Sequence, residues 1–181
     1  TTLFRSLGIT DPAVKQNVLY ILANRYFKLN DIYEVRDQKV KYAKAVLTGA
    51  SKQAAIEAAE LEKDATLYRC HFEFPASLSL YINDKQIDAI KDGMTYNSLQ
   101  VQYESLVDMV PSLTEEEKKQ IYAWYKEARE FSMDAENSDK KHAAFNKYKG
   151  RINNYLTKRG YDLVKERNEW YKRLKAAGKK I

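Results

Sequence analysis

Residues 10–47 read TDPAVKQNVLYILANRYFKLNDIYEVRDQKVKYAKAVL, and the spacing inside that stretch decides the fold. Thr10 or Asp11 is placed to cap a helix, and Pro12 falls in the first turn, where a missing N–H costs nothing. Val14, Val18, Ile21, Leu22, Leu29, Ile32, Tyr33, Arg36 and Val40 then recur every three or four residues up to about Leu47. That period predicts one amphipathic helix of about 50 Å, at about 1.5 Å per residue, with Gly49 ending it.

The rest of the chain agrees with a helical class. Gly and Pro together make up nine of 181 residues, about 5% against roughly 12% in average proteins. Sandwiches and barrels need many such turn residues. Ser51 is expected to cap a second helix, AAIEAAELEKDATLY, whose stripe Leu67, His71, Phe74, Leu78 and Tyr81 passes Pro75. The alternation in Phe72-Glu73-Phe74 and Leu78-Ser79-Leu80 also fits a hairpin about Pro75-Ala76-Ser77. A helix kinked near Pro75 is preferred. Asn83 caps DKQIDAIKD, stopped by Gly93, and a further short helix runs from about Val101 to Met109. Thr114 and Glu117 form a capping box ahead of the seam Ile121, Trp124, Ala128, Phe131 and Ala135. Ser138 caps a helix with the stripe Phe145, Tyr148, Ile152 and Tyr155, closed by Gly160. Asp162 caps a last helix carrying Leu163, Trp170 and Leu174, ahead of a frayed basic tail.

The expected architecture is all-α: a mostly antiparallel helical bundle, because the connections are short, with long N-terminal helices and a C-terminal helical hairpin. It is taken as one domain over 1–181, with long helices at about 11–82, short helices and a loop at about 83–110, and C-terminal helices at about 114–177.

Charge is distributed unevenly. The formal net charge is +6, yet residues 1–137 carry 17 basic and 21 acidic side chains, and residues 138–181 carry 14 basic and four acidic ones. A +10 segment concentrates polyanions, so nucleic acid, an acidic membrane surface and an acidic polysaccharide all fit. A solvated basic face docked on the acidic remainder fits as well. One cysteine, Cys70, excludes an intrachain disulfide and a cysteine-cluster zinc site. No apolar run reaches the roughly 20 residues of a spanning helix. The start Thr1-Thr2-Leu3 lacks methionine, which fits a processed, exported protein.

The densest polar segment is Lys147-Tyr148-Lys149-Gly150-Arg151-Ile152-Asn153-Asn154. On a helix Lys147, Arg151, Asn154 and Lys158 share a stripe. Gly150 reads as a site of close helix approach, and Asn153 and Asn154 as interhelical hydrogen-bonding or ligand groups. Arg129 and Asp134 are placed to face the basic helix, either as an ion-pair network or, for Arg129 with His142, Lys149 and Asn153, as the border of a polar groove for an anion. The candidate ligand-binding residues are therefore Arg129, Asp134, His142, Lys147, Lys149, Arg151, Asn153 and Asn154. No catalytic residue, metal ligand or cofactor is assigned, since His71 and His142 fall in no metal spacing and no P-loop, nucleophile elbow or dinucleotide fingerprint is present. Trp124 reads as core, and Tyr125, Tyr161 and Trp170 as the more exposed stacking candidates.

The segments KDGMTY (91–96), AREFSMDA (128–135), KYKGRINNYL (147–156) and GYDL (160–163) resemble the helical family called domain of unknown function three-eight-two-six, most closely from about Lys91 to Leu163. The resemblance implies an exported or periplasmic protein of polysaccharide-degrading bacteria, and it brings no binding or catalytic residues with it. LTEEEKKQ (113–120) is also similar to helical periplasmic stress chaperones, with Glu117 where their motif has glutamine. The expected function is a non-catalytic exported binding or accessory protein for an acidic polysaccharide or other polyanion. A nucleic-acid-binding module, a chaperone-like protein and a glycan-active enzyme using Asp134, Glu130 or His142 are the alternatives.

Overall fold

The computed structural model describes residues 7–179, and all regular structure among them is α-helical. The chain start at Thr1 to Leu3 and the end of the basic tail, Lys180 and Ile181, lie outside the described residues. Two compact units divide the chain, Thr1–Ile90 and Lys91–Ile181.

In the first unit α1 runs Pro12–Val46, and Asp11 caps it by accepting from the N–H groups of Ala13 and Val14. Its C-cap is Leu47, so the helix ends before Gly49. Gly49 instead opens α2 (Gly49–His71) at φ +53°, behind Thr48 as N-cap, and Ser51 lies inside the first turn. A two-residue link forces the chain to reverse sharply, and glycine takes the left-handed conformation without a Cβ clash. The two helices run antiparallel: Arg36 pairs with Glu60 at 3.0 Å, while Arg25, earlier on α1, reaches Cys70, later on α2. Arg25, 4% exposed, donates to the Cys70 carbonyl at 3.1 Å in the last turn of α2.

No hairpin forms about Pro75, but the break falls at Phe72, ahead of α3 (Glu73–Leu78), and residues 79–82 are turns and a bend, so the helix stops short of the expected 82. Pro75 sits inside α3. Its ring excludes the carbonyl of His71 and it has no N–H to offer, so the interruption lies one turn upstream of the proline. Asn83 and Gln86 exchange hydrogen bonds of 3.0 and 3.1 Å at the start of α4 (Asp84–Met94). Gly93 is helical and does not stop α4. The stop is a Schellman turn: Tyr96 N–H bonds Gly93 O and Asn97 N–H bonds Asp92 O, with Tyr96 and Asn97 at φ +59° and +54°.

The second unit holds a continuous core. Its helices are α5 (Ser98–Met109), α6 (Glu115–Met133), α7 (Ser138–Lys158) and α8 (Leu163–Ala176). Leu99, Leu106, Ile121, Phe145, Ile152 and Leu156 are its most apolar members. The Thr114–Glu117 capping box is formed in both directions, and Asp162 caps α8. Asn137, not Ser138, caps α7, accepting from Lys140 N–H at 3.0 Å. Gly160, at φ +91°, closes that helix as expected.

The α6 seam differs from expectation. Tyr125 is 2% exposed and Phe131 62% exposed, so the buried line is Ile121, Tyr125, Ala128, Ser132 with Arg129 and Met133. Packing against both α5 and α7 widens and rotates the buried arc. Similarly Leu156 replaces Tyr155 as the fully buried end of the α7 stripe. Arg173 of α8 donates to the terminal carbonyls of α5, Asp108 O at 2.7 Å and Met109 O at 3.3 Å. A cation there satisfies orphan acceptors and complements the helix dipole.

Candidate functional site

The polar residues of the second unit sort into two groups with different chemistry. The first surrounds the end of α4. Arg129 is 3% exposed and donates to Asp92 at 2.8 Å and Glu130 at 3.1 Å, while Lys91 pairs with Glu130 at 3.0 Å. Lys141 is also buried. Its ammonium donates to Met94 O at 2.9 Å and lies 5.7 Å from the Tyr96 ring centre. Burial pushes that ammonium below its ordinary pKa. His142, exposed, stacks on Tyr96 with centroids 5.4 Å apart. Stacking and the nearby cation hold a bulky residue in a left-handed conformation that normally favours glycine. This group is a clamp that fixes the α4 turn to α6 and α7.

The second group runs along one flank of the α6–α7 hairpin, with Phe131, Arg151 and Arg159 exposed over the buried Tyr148 and the half-buried Trp124 and Tyr155. Phe131 stacks on Tyr148 at 6.3 Å, and the Arg151 guanidinium carbon lies over the Tyr148 ring, 4.7 Å from its centre, with Glu127 at 3.4 Å. One turn further Trp124 meets Tyr155 edge-on at 5.0 Å, and Arg159 covers Tyr155 at 4.4 Å with Glu117 3.9 Å away. The antiparallel register produces this ladder, because α6 numbers fall as α7 numbers rise. Burial, and hydrogen bonding to Glu127, push the Tyr148 hydroxyl up to about 12, so it stays a neutral donor. A guanidinium laid on an aromatic face keeps its fork directed outward, the geometry that takes carboxylates bidentately. The competing pairs with Glu127 and Glu117 are exposed on the arginine side and worth little, about 0–1 kcal/mol.

The expected residues divide accordingly. Arg129 turns to Asp92 and is unavailable to line a groove with Lys149 and Asn153. Asp134 is the half-buried C-cap of α6. His142 belongs to the clamp. Lys147, Lys149, Arg151 and Asn154 are exposed on α7, and Asn153 is half-buried. Among the described residues Lys147, Lys149 and Lys158 make no ion pair. Asn154 lies twelve residues beyond His142, about 18 Å along the helix, so the set spans the helix length and forms no single pocket. The stacking candidates are also reassigned. Tyr125 is core, Tyr161 donates to Glu117 at 2.7 Å, and Trp170 donates to Asp108 at 2.6 Å. Phe131, Tyr148, Tyr155 and Arg159 were not singled out as site residues from sequence. Their signal is the pairing of Arg151 with Tyr148 and of Arg159 with Tyr155, at spacings of three and four on α7.

Gly150 has no close helix approach. A Cβ built there meets nothing within 4 Å, and the residue is exposed and helical. Gly150→Ala is therefore expected to raise stability by about 0.5–1 kcal/mol, read as a higher midpoint in urea.

The comparison with curated proteins gave no match. Residues 2–176 match the model of the family described as protein of unknown function (DUF3826), and the chain belongs to that family.

Proposed function

We propose that the protein is a non-catalytic, exported binding or accessory protein in polysaccharide use, and that the α6–α7 flank takes an acidic oligosaccharide. The observation that carries this reading is the row of exposed Phe131, Arg151 over the buried Tyr148, and Arg159 over the half-buried Tyr155 along one flank, where Phe131 and the two guanidiniums form the solvent face. The exposed Phe131 ring offers a face for a sugar ring, and guanidinium forks pair with uronate carboxylates. Lys140, Lys147 and Lys158 are exposed on the same helix and raise the local anion concentration. Among the described residues no helix is long and apolar enough to cross a membrane.

Titration calorimetry with oligogalacturonides tests the proposal. Binding should weaken as salt rises, and Arg151→Ala with Arg159→Ala should lower affinity at least about tenfold, whereas Lys149→Gln should cost about twofold. Equal affinity for neutral oligosaccharides, or an unchanged constant in the double variant, would sink it. A single-stranded oligonucleotide that binds more tightly than any uronate, with a steep salt slope, would hand the same flank to nucleic acid.

A further inference from the structure

The first unit leaves a heptad seam bare. On α2 and its C-cap, Ala54, Ala58, Leu61, Ala65, Tyr68 and Phe72 follow one another at alternating steps of four and three, the spacing of coiled-coil core positions. All six are exposed, and Leu61, Tyr68 and Phe72 are 69%, 71% and 60% exposed. Alanine 59 and Cys70, the buried residues of α2, lie on the opposite side against α1. The helix therefore has two apolar faces and one covered. Tyr68 and Phe72 already touch edge to face at 5.7 Å, so the bare face is partly ordered before anything docks.

We propose that a second copy of this chain covers the seam, with the two α2 helices antiparallel about a two-fold axis near Lys63. The order of large and small residues argues for that occupant and that direction. About this axis Phe72 falls opposite the partner's Ala54, Tyr68 opposite the partner's Ala58, and Leu61 opposite the partner's Ala65. Every layer joins one large and one small side chain, which is how facing helices interdigitate. A parallel pair would instead stack tyrosine on tyrosine and leave the alanine layers underfilled.

The flanking charges tolerate the same arrangement. Glu57 comes opposite the partner's His71. Glu62 and Asp64 approach their own symmetry mates, but each is already paired within its copy, Glu62 with Lys39 and Asp64 with Lys63. A contact between two helices along this seam falls at the lower end of specific interfaces, about 1,200 Å². A reversible dimer follows, not an obligate one.

Sedimentation equilibrium on the full chain tests this. A monomer–dimer equilibrium is expected, and Leu61→Lys or Tyr68→Lys should raise the dimer dissociation constant roughly 30-fold or more with helicity unchanged. Oxidised Asp64→Cys should cross-link to a second copy. Ala54→Cys should not, because its mates stand about 27 Å apart in the antiparallel register. A chain that stays monomeric at about 100 μM, or a dimer indifferent to both lysine variants, overturns the proposal. Cross-linking by Ala54→Cys and not by Asp64→Cys overturns the antiparallel pairing.

Discussion

Arg129→Ala should destabilise the second unit by about 3–5 kcal/mol, the cost of removing one member of a buried ion cluster. The guanidinium is 3% exposed and is shared between Asp92 and Glu130. Its loss leaves Asp92 beside a void without the cation that offsets its desolvation, and removes from Glu130 the guanidinium it shares with the Lys91 ammonium. Arg129→Met fills most of the volume and tests whether charge or packing dominates. If charge dominates, methionine recovers little by itself, and adding Asp92→Asn recovers part of the loss through a coupling of about 1–3 kcal/mol. Thermal unfolding followed by circular dichroism reads the effect. At about 4–8 °C per kcal/mol for a domain of this size, the alanine midpoint should fall by more than about 12 °C. A drop of only a few degrees would show that the cluster stabilises the α4 turn far less than its burial implies.

Some of these arrangements were legible in the sequence, for a physical reason. Asp11, Thr114 with Glu117, Asp162 and Gly160 act within three or four residues of themselves, and each took its expected place at a helix end. The basic stripe of α7 was legible too, because helical period alone sets it. What depended on neighbours was not. Tyr125 went inward and Phe131 outward because two helices, α5 and α7, share the face of α6. Gly93 looked like a stop, but the turn is made at Tyr96, whose left-handed backbone is held by His142 and Lys141 from another helix. The ladder Phe131–Tyr148–Arg151 needs the register of the hairpin, which no single-helix pattern contains. The same limit hid the seam of α2. Leu61, Tyr68 and Phe72 acquire meaning only once α1 is seen to occupy the other face.

Glu117→Ala should cost about 3 kcal/mol at neutral pH, and the penalty should shrink as the solution is acidified. Glu117 is 6% exposed and carries three loads: its carboxylate accepts from Thr114 N–H at 2.9 Å, accepts from the Tyr161 hydroxyl at 2.7 Å, and faces Arg159 at 3.9 Å. Loss of the capping box costs about 1 kcal/mol, and a hydrogen bond to a charged acceptor about 1.5–3 kcal/mol. The Tyr161 hydroxyl bond above all, with the Thr114 N–H, holds the Glu117 carboxyl below its ordinary 4.5. A carboxyl with a depressed folded pKa stabilises the fold above the unfolded value, and that share is lost as pH falls through the folded value. The gap between wild type and Glu117→Ala should therefore be constant from pH 8 down to about 5 and narrow below about 4.5. Glu117→Gln separates the parts, since an amide can still return the capping-box bond to Thr114 but offers no charge to Tyr161 or Arg159. It should retain roughly half the stability lost in the alanine variant and show a weaker acid dependence than wild type. An alanine penalty that stays constant down to pH 3 would mean the carboxylate's charge contributes nothing, and that Glu117 acts through packing alone.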